Sequence, residues 1–246
     1  KIFIPQIMDS EAKFRIPSLI ANENHEHRVV VNLNRRVFEY SRELNPRISI
    51  TYALEDSLYT VPHSISRLNV LQDTAMNWGN RRQLASFVNP SDTMLRTFIS
   101  SVLLQSYDAG TPTGLNPAIA KALQVYSFYR ANSIRYTPDP SAANRDDTQI
   151  DYVQYPFQTL NSKGGDCEDL MVLLATSLEV VGVETGFIDI PGHVIPVIDT
   201  KMDVDEILNS GISVEFFIHR NGTYWLPLES TMLSTQDFIT SWLDAR

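Results

Sequence analysis

One cysteine, Cys167, is all this chain of 246 residues contains. A single thiol cannot close an intramolecular disulfide, and it excludes a structural zinc cage built on several thiolates. Long apolar runs are missing too: none reaches the length that spans a bilayer, and no signal peptide is present in the sequence. Basic stripes are absent. The net charge is −9, divided as +2 over residues 1–88 and −11 over residues 89–246. A chain with no clustered Lys and Arg offers little to a phosphate backbone, so no nucleic-acid partner is expected. Hydrophobic content of 43% and charged content of 20% fit a globular protein of one large or two modest domains. The chain opens on Lys1 and stops at Arg246 inside a helical pattern, which suggests a fragment or processed form.

Short β-branched runs fill the first part: His27–Leu33, Arg47–Leu54, Tyr59–Ile65 and Arg67–Leu71, separated by polar breaks. That spacing predicts a small β-sandwich-like domain over 1–88. After Asn89-Pro90-Ser91-Asp92 the period changes to that of helices. Met94, Leu95, Phe98, Val102 and Leu103 define one over Thr93–Tyr107, with Ser91 or Asp92 as N-cap. Asn116-Pro117 caps a second, running to about Ala131. Residues 136–151 read as a loop. A third helix starts at Cys167 and ends at Gly182. Strands follow over Thr185–Ile190, His193–Ile198, Ser213–His219 and Tyr224–Leu228, the last two joined by the hairpin signal Arg220-Asn221-Gly222. Lys201–Gly211 is a short helix between strands, and a closing helix begins near Asp237. The expected class is α+β, with an α+β domain over 89–246.

Cys167 stands in Lys163-Gly-Gly-Asp-Cys-Glu-Asp-Leu170, at a helix start, where unpaired N–H groups and the helix dipole favour a thiolate. A thiol becomes a nucleophile when a base takes its proton and a third group orients that base. His193 follows the Pro191-Gly192 break at the head of a strand and supplies the base. Glu229, at the end of a neighbouring hairpin strand, supplies the orienting acid. Asp199 competes for that role but lies six positions along the same strand as His193, roughly 20 Å away at about 3.3 Å per residue. Asp166 and Asp169 are spaced as a helix cap. They also oppose thiolate formation, as negative charges beside sulfur. His25 and His27 make two ligands without a third, so no metal site is expected, nor any cofactor. The acidic run Asp203–Glu206 lacks the ligand spacing of a calcium loop.

The segments Thr159–Leu170, Pro191-Gly-His193 and Trp225-Leu-Pro-Leu-Glu-Ser-Thr231 resemble the bacterial transglutaminase-like superfamily over roughly residues 116–240. The resemblance implies a papain-like fold, with a central cysteine-bearing helix packed against an antiparallel sheet. It implies Cys167 as nucleophile, His193 as general base and Glu229 as orienting acid. The family's usual acid is Asp, and here Lys201–Gly211 lengthens the stretch between base and acid. The implied chemistry is acyl transfer or hydrolysis on protein or peptide amides, cell-wall peptides included. The Cys167 N–H and a donor from the preceding loop, Gln158, would form the oxyanion hole. Two alternatives stand beside this: a non-catalytic module of the same fold binding protein or peptidoglycan, and a scaffold domain of a larger envelope protein. All three carry an expectation of periplasmic or extracytoplasmic location.

Overall fold

The computed structural model describes residues 1–16, 29–39, 43–54, 57–64, 68–69, 73–107, 114–138 and 150–245. The chain divides into two compact units, Lys1–Asp73 and Thr74–Arg246. The sequence-based division at residue 88 therefore does not match. Met76, Leu84 and Phe87 pack with Met171 and Val172 of the cysteine-bearing helix, so the stretch after Asp73 belongs to the larger unit.

In the first unit, β1 (Ile2–Phe3), β3 (Arg47–Leu54) and β4 (Ser57–Ser64) form an antiparallel sheet of order β1-β3-β4, while β2 (Glu43–Leu44) pairs with β5 (Leu68–Asn69). Both faces of the β3–β4 hairpin are exposed across Ile50–Ala53 and Leu58–Val61, whereas a sandwich would bury one of them. Residues 29–33 carry no strand, and Val30 is exposed. His25 and His27 lie outside the described residues, as does most of the expected loop over 136–151.

The second unit begins with β6 (Ala75–Asn77) and a 3-10 segment (Trp78–Phe87). It continues through α1 (Thr93–Tyr107), α2 (Pro117–Ala131), β7 (Arg135–Tyr136), β8 (Ile150–Tyr152), α3 (Pro156–Ser162), β9 (Gly164–Gly165) and α4 (Cys167–Val180). Then come β10 (Thr185–Ile190), β11 (His193–Asp199), α5 (Val204–Ser210), β12 (Ile218–Arg220), β13 (Thr223–Pro227) and α6 (Phe238–Asp244). Ser213–His219 is not one strand: a 3-10 turn at Val214–Phe216 precedes the short β12.

Caps set the helix ends. Asn116 accepts from the N–H groups of Ala118 and Ile119 with Pro117 at the first helical position, and Asp92 accepts from the Leu95 N–H. The α4 helix is buried from Cys167 through Leu178, as befits a helix apolar nearly all round. Leu170, Leu173, Leu174 and Leu178, at helical spacing, enter a core shared with α1, α2 and the sheet; Met171, Val172 and Ala175 enter a second cluster. The sheet is antiparallel, of order β10-β11-β13-β12, and α4 packs on β10 and β11. Helices packed against an antiparallel sheet make this unit α+β. No helix of the described residues is long and apolar enough to cross a membrane.

Candidate active site

The turn that carries the thiol is built by glycine and two aspartates. A Cβ on Gly165 would lie 2.4 Å from the Asp169 Cβ, so only glycine allows β9 to lie this close to α4. Asp166, at the N-cap with extended backbone, accepts from the Asp169 N–H at 3.4 Å. Asp169 returns the bond, accepting from the Asp166 N–H at 3.3 Å, and also accepts from the Gln154 N–H at 2.7 Å and the Gln154 Nε2 at 2.6 Å. This is a capping box with Asp at both ends. Burial, then the neighbouring charge of Asp166, pushes the Asp169 carboxyl up to about 6 against the lowering effect of its hydrogen bonds.

Cys167 opens α4 and is 8% exposed. Its thiol donates to Glu168 Oε2 at 2.9 Å, and Glu168 has no exposed surface. The sulfur thus sits at the positive end of a helix dipole, with a buried carboxylate beside it.

His193 opens β11. The two-residue turn Pro191-Gly192 delivers it, and Gly192 adopts a φ of 76°, left-handed backbone that glycine adopts without strain. On the next strand Val197 faces Pro227. One residue past that strand the Leu228 N–H still bonds the Pro196 carbonyl at 3.0 Å, which keeps Glu229 close to the start of β11, within reach of a long side chain. His193 Nε2 meets Glu229 Oε2 at 2.7 Å. The other carboxylate oxygen, Oε1, accepts from the Thr231 N–H at 2.9 Å and from its hydroxyl. Burial pushes the Glu229 carboxyl up, but its bonds to His193 and Thr231 outweigh that and hold it below the usual range. The bond to Glu229 likewise raises His193, against partial burial. The pair is therefore an ion pair across mildly acidic pH.

Of the residues singled out from sequence, His193 and Glu229 are brought into direct contact, and Asp166 and Asp169 into one cap. Cys167 and Val194, the residue after His193, belong to one apolar cluster. Asp199 is remote from His193 and instead pairs with Lys201. Gln158 is exposed, and its Oε1 accepts from the Tyr155 N–H at 2.8 Å, closing the first turn of α3. Gln158 thus stands in α3 rather than in a loop, with its side-chain oxygen held within that helix. Two contributors escape a sequence reading. Glu168 is read only as a flanking charge, and Gln154, the buttress of Asp169, carries no sequence signal. Among the described residues, no group of three or more His, Cys, Asp or Glu side chains is placed to hold a metal ion.

No protein-family model matches this chain, and no curated protein matches it. Among solved structures, a "putative protease" from Parabacteroides distasonis aligns at 10% identity with a TM-score of 0.34, over 62% of this chain and 34% of that one. This chain accordingly spans about a third of that protein's length.

Proposed function

We propose that this protein is a thiol-dependent acyl-transfer or hydrolytic enzyme acting on protein or peptide amides, related to the transglutaminase-like superfamily. The observation that carries the reading is the His193–Glu229 bond of 2.7 Å, made from the strand next to the cysteine-bearing helix. With Nε2 bonded to Glu229, the imidazole's Nδ1 is the nitrogen left to take the Cys167 proton. The proton passes from Sγ to Nδ1, and Glu229 stabilises the imidazolium that forms. The sulfur electron pair attacks the amide carbonyl, and the helix N-terminus stabilises negative charge in the acyl-transfer transition state. The imidazolium then protonates the leaving amine. Water or a second amine resolves the acyl-enzyme, giving hydrolysis or deamidation in one case and cross-linking in the other.

A second reading, a non-catalytic module of this fold that binds protein or peptidoglycan, draws on the burial of Cys167 at 8% exposure. Iodoacetamide separates the two readings, because the chain offers one thiol. In the catalytic reading the native chain is labelled near neutral pH, His193→Ala slows labelling at least ten-fold with the fold intact, and casein is hydrolysed or cross-linked by wild type but not by Cys167→Ala. Labelling confined to pH above 8 and unchanged by His193→Ala would remove that reading, and retention on cell-wall sacculi would then favour the second.

A further inference from the structure

Resting on Cys167 as the nucleophile, we propose that Glu168 is a positioning residue that holds the thiol's proton on sulfur until His193 removes it. The geometry is the 2.9 Å bond from Cys167 Sγ to Glu168 Oε2, made to a side chain with no exposed surface. A carboxylate taken this far out of water persists only where bonds compensate its desolvation. Helix capping is not the reason it is here, because Asp166 and Asp169 already form the reciprocal box at this end of α4.

The bond has two consequences. It fixes the direction of Sγ within the turn, and it opposes ionisation, since a carboxylate accepting the S–H favours the protonated sulfur. Other titratable groups on this turn and on elements packed against it include Asp166, Asp169, Tyr155, the Arg81–Asp189 pair and the His193–Glu229 dyad. In the reaction the S–H···O contact breaks, the proton moves from sulfur to His193 Nδ1, and the electron pair stays on sulfur for attack. Glu168 keeps its charge throughout. A thiol guarded in this way resists stray alkylation and oxidation until a substrate and the imidazole act together.

Iodoacetamide labelling of the intact chain from pH 5 to pH 9 tests this, with Cys167 as the one reporting site. Glu168→Gln keeps the size and an acceptor oxygen but removes the charge. Labelling of the variant at pH 6 is expected to run about ten-fold faster than wild type, the effect of one unit in proton affinity, with the whole profile displaced to lower pH. Profiles that coincide within two-fold overturn the proposal. Where a wild type of intact fold takes no label at any pH, it is the nucleophile reading that fails. In that case, or where Glu168→Gln shows no cooperative melt, the S–H stretching band of the wild-type chain decides by Raman spectroscopy. A band lowered relative to the urea-unfolded chain supports the bond to Glu168, and an unchanged band overturns it.

Discussion

Replacing Glu229 by glutamine separates charge from shape at the dyad. Glutamine fits the same space, and its Oε1 can still accept from the Thr231 N–H and hydroxyl. The group facing His193 Nε2 then becomes an amide N–H₂, a donor. His193 must answer as an acceptor at Nε2, which moves the ring proton to Nδ1. In the proposed mechanism a protonated Nδ1 cannot take a proton from sulfur, so the substitution disables the base rather than merely weakening it. A positioned general base contributes roughly 10²- to 10⁴-fold, and a loss in that range is expected in turnover, with a matching fall in Cys167 alkylation at pH 7. The cost to stability is smaller, about 1–2 kcal/mol, at the low side for a charge-assisted bond because the imidazole keeps contact with water. The pH dependence supplies an independent check. Glu229 is depressed, so its contribution is present above its ordinary 4.5 and lost as pH falls through its lowered value. His193 is raised, so its contribution is present below its ordinary 6.5 and lost as pH rises through its raised value. The pair therefore stabilises fully between pH 4.5 and 6.5, and Glu229→Gln should flatten the urea midpoint across both flanks. Alkylation at the wild-type rate, with nitrogen-15 spectra showing His193 still protonated at Nε2, would refute the reasoning.

Gly165→Ala should destabilise the second unit by about 1–3 kcal/mol, the range for overpacking, because the new methyl meets the Asp169 side chain; urea unfolding measures it. Asp169, raised to about 6, binds its proton more tightly folded than unfolded, so stability should decline as pH climbs from 3.8 to about 6. Asp169→Asn removes that slope while costing about 1–3 kcal/mol from broken bonds to Gln154 and Asp166, read as a lower urea midpoint below pH 4.

Helices α1, α2 and α4 are legible in the sequence because each begins on a capping side chain, Asp92, Asn116 or Asp166, and continues with apolar residues at helical spacing. Helix α3 is not, since its 7 residues span too few turns for periodicity to register; its signal is Pro156 at the first position and Gln158 two residues on. The hairpin of β12 and β13 is announced by Asn221 and Gly222, both left-handed, yet the start of β12 is misplaced because Val214–Phe216 coils into a 3-10 turn. The Pro191-Gly192 turn and an acid two residues past the end of β13 make the pairing of His193 with Glu229 readable in advance. The division of the chain is not readable, because Met76, Leu84 and Phe87 show their partners only when α4 is in place. Nor is the bond between Cys167 and Glu168, since adjacency in sequence says nothing about where the carboxylate turns.

Three acids crowd a turn whose sulfur becomes an anion in the proposed mechanism, and the structure divides their work. Asp166 and Asp169 direct their carboxylates to backbone N–H groups and Gln154, where they offset the unpaired donors of the helix start. Part of the positive potential that would favour a thiolate is thereby consumed by the cap. A thiolate then depends on a counter-charge from outside the helix, and the cation available at the adjacent sheet is the imidazolium of His193, itself raised by Glu229. In the proposed mechanism the dyad on the sheet is consequently a condition for the nucleophile to form rather than an accessory to it. A cap left neutral, as in Asp166→Asn, should therefore leave Cys167 less dependent on His193, so that His193→Ala slows alkylation less in that background than in wild type.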